Sequence, residues 1–152
     1  MDFTLDPAID DVRRRVRRFV DDRLIPLEAD RANYDEHENV REDVLTAMRS
    51  QARAEGLWAL QMPKARGGGG LSFVGMAACY EEMNRSIFGP ATFNSAAPDD
   101  GTMMALERVG TDAQKARWMP ALASGEMIAA FCLTEPGAGS DAASIKTTAV
   151  KD

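Results

Sequence analysis

Residues 127–141 limit the architecture more than any other stretch. The apolar run Met127 to Leu133 has strand length and strand composition, and it leads directly into Thr134-Glu135-Pro136 and then Gly137-Ala138-Gly139-Ser140-Asp141. Pro136 lacks an N–H and biases Glu135 away from helical geometry, so regular structure should stop at this corner. Gly137 and Gly139 permit positive φ and close approach of the backbone to a ligand. Thr134 and Ser140 place hydroxyls on either side of the corner. Loop N–H groups and hydroxyls at a strand end suit a polar, phosphorylated partner. A plain tight turn between two strands is a competing reading. Gly137 to Ala142 also fits the G-x-G-x-x-A dinucleotide spacing of a nicotinamide enzyme, but that fingerprint needs a helix opening at the glycines, and Ser144 to Val150 is rich in β-formers.

The preceding residues have helical periodicity. Asp6-Pro7 suits a cap and first helical position, and Ile9, Val12, Val16, Phe19 and Val20 then form one apolar stripe. Arg13, Arg14, Arg15, Arg17 and Arg18 read as a solvated face, because Asp10, Asp11, Asp21 and Asp22 flank them. Pro26 should kink or end this helix, and Glu28 to Glu38 reads as an exposed connection holding a solvated His37. A second helix is predicted over about Arg41 to Glu55, with Val44, Leu45, Met48 and Ala52 inward and Gly56 as its stop. Leu57 to Met62 is a short apolar stretch, and Gly67 to Gly70 a flexible loop. Ser72 should cap a third helix with Phe73, Met76, Ala77, Tyr80 and Met83 on one face. A fourth helix is expected from about Asp100 to Val109. Thr111-x-x-Gln114 has the form of a capping box opening a fifth that reaches about Ala123, with Pro120 distorting its last turns. The change from helical to strand character at about Gly125 marks a domain boundary: a helical domain over 1–125, and over 126–152 the incomplete beginning of a β domain.

A net charge of −6 argues against a general nucleic-acid binder, and no apolar run approaches a membrane span. Cys79 and Cys132 sit in apolar segments and read as buried free thiols of a reducing, cytoplasmic compartment. One histidine and two scattered cysteines do not make a zinc site of usual spacing, so no metal is expected.

Phe131 to Asp141, FCLTEPGAGSD, resembles the flavin-binding signature of the acyl-CoA dehydrogenase family. Arg66 to Ser72 is similar to that family's Gly-Gly-x-Gly-Leu-Ser junction, Glu81 to Arg85 to its Glu-Glu-Leu-x-Arg, and Gly110 to Lys115 to its Gly-x-x-x-Gln-Lys. The resemblance covers essentially the whole chain. It implies a mainly α fold, the N-terminal helical bundle of an acyl-CoA dehydrogenase followed by the first strands of a truncated β domain. Phe93 to Gly101 is more similar to the subgroup that forms the dehydrogenase part of multidomain proteins.

The same resemblance implies function. FAD would lie along Phe131, Cys132 and Leu133, with Thr134 at the ring edge and Gly139 and Ser140 on its pyrophosphate side. Ser140 would also approach an acyl-CoA thioester. Asn94, Ser95, Asp99, Asp100 and Met103 lie in the region that lines the acyl tail, and the two aspartates hint at a polar or substituted chain. Asp99 and Asp100 at a helix N-terminus have an equally good structural explanation. The family reaction removes an α proton and passes the β hydride to flavin, with electron-transfer flavoprotein as acceptor, in homo-oligomers. The family's catalytic base has no counterpart in this chain, so no catalytic residue is expected. A non-catalytic helical interaction module derived from the family is the alternative.

Overall fold

A computed structural model describes residues 4–151. Seven α-helical elements are formed among them: α1 Pro7–Phe19, α2 Ile25–Ala29, α3 Glu42–Ala54, α4 Phe73–Met83, α5 Gly89–Thr92, α6 Asp99–Val109 and α7 Asp112–Ser124. The caps are those the sequence specifies. Asp6 accepts from the Ala8 N–H at 2.8 Å, Ser72 from Gly75, and Thr111 and Gln114 close a reciprocal capping box.

Pro26 neither ends nor breaks the first helix. A π turn over Val20–Leu24 joins α1 to α2, and the Ile25 N–H reaches back five residues to the Val20 carbonyl. The wider turn accommodates a residue that would otherwise clash with the carbonyl one α turn earlier. Pro120 is likewise carried inside α7, which continues to Ser124 before Gly125 ends it in the left-handed region, φ 73°.

Two apolar clusters make the interior. One contains Val16, Phe19, Val20 and Leu24 with Ala52, Met76, Cys79, Met83, Phe88 and Phe93, and Phe19 meets Phe93 edge-on with centroids 5.2 Å apart. The other gathers Met103 from α6 and Met119, Leu122 and Ala123 from α7. Residues 57–62 join them: Leu57 and Leu60 enter the first, and Trp58, Ala59 and Met62 the second. Fully burying side chains of this size is worth about 1.5–3 kcal/mol each, so this irregular stretch anchors the molecule as firmly as a helix does.

The glycine-rich loop is packed. The N–H groups of Gly67, Gly68, Gly69 and Gly70 donate to the carbonyls of Lys64, Pro63, Ala59 and Met62. A Cβ at Gly68 would lie 2.4 Å from both the Ala59 and Met62 carbonyl oxygens. The loop is therefore a tight cover on 59–62, and its donors are committed internally.

The arginine face of α1 is only partly solvated. Arg14, Arg17 and Arg18 are exposed, but Arg13 points toward α4 and meets the buried Glu82 at 2.5 Å, with Arg17 and Arg85 within 4 Å of the same carboxylate. The inward face of α4 is Gly75, Met76, Cys79, Glu82 and Met83, whereas Phe73 and Ala77 are exposed.

No strand is formed among the described residues. Tyr34–Val40 and Glu135–Ala138 are isolated bridges, and residues 128–134 have no regular structure. The strands expected after Gly125 are therefore not formed among the described residues. Strand composition alone gives no ladder without a partner edge, and the helical part offers none. Cys132 is exposed and only Cys79 is buried, a correction with the same cause.

Candidate functional site

Two of the suspected site residues, Asn94 and Asp99, hold the chain around the end of α7. The last carbonyls of a helix lack intrahelical donors. Here distant side chains supply them: Trp58 Nε1 donates to Ala123 at 2.8 Å, Asn94 Nδ2 to Leu122 at 3.1 Å, and Arg53 to Ser124. Arg53 also lies over the Trp58 ring, 3.6 Å from its centroid. Asn94 reaches its place through a positive φ of 53°. The Met127 N–H then donates to Ala121 and the Ala129 N–H to Asp99 Oδ1, at 3.1 and 2.5 Å. These bonds fix the direction in which the chain leaves the helical body.

Beyond that latch the chain is exposed. Phe131 and Leu133 are 74% and 42% accessible, and the backbone N–H groups of residues 130–134 have no partner among the described residues. Glu135 and Ala138 exchange backbone hydrogen bonds at 2.9 and 3.1 Å around Pro136-Gly137. A Cβ on Gly137 or Gly139 would meet nothing within 4 Å, so the loop face is open. No helix opens at Gly139. A single 3-10 turn, Ala142–Ser144, follows, which removes the dinucleotide-fingerprint reading.

A separate cavity of about 360 Å³ lies between α4 and α6. Met62, Leu71, Met76 and Met104 give it an apolar wall, and Tyr80, Asp100, Glu107 and Arg108 supply polar groups. The Tyr80 hydroxyl donates to Asp100 Oδ2 at 2.5 Å; burial first, then that carboxylate, push the phenol well above its usual pKa. Of the residues expected to line an acyl tail, Asp100 is on this wall. Asn94 is committed to α7 and Asp99 to Ala129, while Ser95 donates to Gln61 Oε1 at 2.9 Å and Met103 is wholly buried. Phe131, Cys132, Leu133, Thr134, Gly139 and Ser140 remain together on the exposed extension.

Two features were not read from the sequence. The helical spacing shows Tyr80 only as an apolar-face residue; its pairing with Asp100 is a contact between helices twenty positions apart and leaves no local pattern. The sequence shows Glu135 only as the residue that Pro136 biases away from helix, yet its carboxylate accepts from Lys146 N and Thr147 N at 3.0 and 2.7 Å.

The sequence profile described as "Acyl-CoA dehydrogenase, N-terminal domain" matches residues 6–126. Acyl-CoA dehydrogenase family member 11 of Mus musculus is 36% identical over 93% of this chain, which spans 19% of that relative. The (2S)-methylsuccinyl-CoA dehydrogenase of Cereibacter sphaeroides is 35% identical over 97% of the chain and 26% of its own length. A solved acyl-CoA dehydrogenase structure from Mycobacterium abscessus superposes with a TM-score of 0.80 at 36% identity, over 93% of this chain and 38% of that one. The chain thus spans well under half the length of each of these relatives. The profile match and the helical superposition agree on one assignment: this chain belongs to the acyl-CoA dehydrogenase family, and residues 6–126 are its N-terminal domain.

Proposed function

We propose that the chain is the N-terminal portion of an FAD-dependent acyl-CoA dehydrogenase, with 1–125 as its helical domain and 126–152 as the beginning of its β domain. One observation carries the flavin reading: apolar side chains and uncommitted N–H groups at 130–134 stand beside an open glycine turn. These residues fit FAD. Phe131, Cys132 and Leu133 suit a flat, largely apolar ring, Thr134 its polar edge, and Gly139 and Ser140 a pyrophosphate. When bound, FAD supplies the acceptor for the hydride leaving the acyl β-carbon as the α proton goes to a carboxylate base.

This chain's own part is orientation. Thr134 offers a hydroxyl at the ring edge, Ser140 reaches toward both cofactor and acyl-CoA, and the α7 latch fixes where the extension starts. Asn94, Ser95, Asp99 and Asp100 form the proposed substrate side, with Asp100 facing the cavity and the Asn94 carbonyl and Ser95 hydroxyl holding Gln61 of its wall. No carboxylate of this chain is assigned as the base. Electron-transfer flavoprotein as acceptor, a homo-oligomeric state and a cytoplasmic location belong to the same proposal.

In the full-length protein, Thr134→Ala and Ser140→Ala should each reduce bound FAD by at least about twofold, in line with the loss of one hydrogen bond to a charged or polarised group. Flavin absorbance per chain reads this directly. Unchanged flavin content and turnover in both variants would sink the assignment.

A further inference from the structure

We infer that Glu135 is a positioning residue: its carboxylate draws residues 146–147 back onto the Pro136 corner and holds Gly137 to Ser140 in the shape offered to the flavin pyrophosphate. The inference rests on the flavin reading above. Glu135 acts at both ends of the loop. Its backbone exchanges hydrogen bonds with Ala138 at 2.9 and 3.1 Å, which fixes the turn around Pro136-Gly137. Its side chain reaches eleven and twelve residues along the chain. Oε2 accepts from Lys146 N at 3.0 Å, and Oε1 accepts from Thr147 N at 2.7 Å and from the Thr147 hydroxyl.

Little else orders this stretch. Asp141 takes the Ser144 N–H on its carbonyl at 3.1 Å and the Ser144 hydroxyl on Oδ2 at 2.5 Å. Apart from the 3-10 turn at Ala142–Ser144, the other backbone hydrogen bonds of residues 135–147 among the described residues are the Glu135 bonds. Residues 139–144 are exposed, so apolar burial contributes little to their order. A loop so lightly packed stays mobile unless a few strong hydrogen bonds restrain it, and a mobile loop must be ordered when a ligand binds. An ionised carboxylate suits the task, because each oxygen accepts from a different N–H and charge-assisted bonds are the stronger kind. The same donors, the Thr147 hydroxyl first, hold the Glu135 carboxyl below the usual glutamate value. A glutamine in this place can accept on one oxygen only and would turn its amide toward the other donor.

The test uses this chain, its Glu135→Ala and Glu135→Gln variants, and 15N amide spectra with and without millimolar FAD. In the parent, the Lys146 and Thr147 amides should be protected from exchange and should follow a single titration below the normal glutamate range. FAD should shift the amides of Phe131 to Ser140. Glu135→Ala should abolish the protection and weaken the FAD response at least about fivefold, and Glu135→Gln should fall between. Unprotected Lys146 and Thr147 amides in the parent would overturn the brace. Lost protection with an unchanged FAD response would overturn the positioning role. A protected loop with no FAD response in the parent would overturn the flavin reading while leaving the brace intact, so the two failures are distinguishable.

Discussion

At the scale of single residues, the arginines and the cysteines behave according to where distant parts of the chain place them. Glu82 is 5% exposed, and what makes its burial tolerable is the guanidinium of Arg13 at 2.5 Å. Removing one partner of a buried ion pair strands the other, typically at about 3–5 kcal/mol. Arg13→Ala leaves the buried Glu82 carboxylate with only Arg17 and Arg85, at 3.8 and 3.7 Å, so it should cost about 3 kcal/mol, read as a lower urea midpoint. A shift below about 0.5 kcal/mol would show that the pair is replaceable by water. The two thiols give a complementary check. Cys79 has no exposed surface, and desolvation raises its pKa to about 11, whereas Cys132 is exposed. The thiolate is the reactive form, so a chromogenic disulfide reagent at neutral pH should titrate one thiol in the native chain and the second only on unfolding. Two fast thiols would mean that α4 opens readily.

At the scale of elements, α1, α4 and α7 were legible because each carried its own side-chain cap, as in Thr111-x-x-Gln114, and α1 a clear stripe in its Val16, Phe19, Val20 row, whereas the short α2 and α5 have no cap of their own and were not expected. The inward face of α4 was not legible. Glu82 occupies a core register, and its compensating arginine lies 69 positions earlier, beyond any local pattern. The role of 57–62 was hidden for a related reason: its residues alternate irregularly between two clusters, and Ala59 sits at φ 46°. The candidate flavin segment was legible as a motif, but its contacts to Asp99 and Lys146 depend on tertiary placement. The glycine-rich loop is the element whose sequence misled most, since four glycines read as freedom and the fold uses them for close approach. Gly68→Ala would push a methyl within 2.4 Å of two backbone carbonyls, which cannot move without carrying 59–62 with them. It should cost at least about 2 kcal/mol. Gly101→Ala, in α6 with nothing within 4 Å of an added Cβ, should instead stabilise by roughly 0.5–1 kcal/mol. Paired thermal melts check both, and similar small shifts in the two would refute the packed-loop account.

At the scale of the whole molecule, the chain divides into a helical body that is internally complete and an extension that is not. Every residue of the two apolar clusters comes before Gly125, apart from Ala129 packed at the margin of the second. The extension is tied to the body at Met127 and Ala129, and beyond them Phe131, Leu133 and Val150 lie in solvent. Exposed apolar surface of this kind in one stretch marks a face meant for something else, here the proposed cofactor. A chain ended at Ala130 retains both ties and loses no buried cluster residue. It should therefore melt within about 3 °C of the full chain, because a change of 1 kcal/mol moves a domain of this size by roughly 2–8 °C. The same truncation should remove most of the binding of a hydrophobic dye and all response to FAD. A fall in melting temperature beyond about 6 °C would mean that residues 131–151 contribute to the stability of the body. Ending the chain at Gly125 instead also cuts the Ala129 to Asp99 bond, and the difference between the two truncations isolates what that latch contributes at the point where the helical domain hands over to the candidate site.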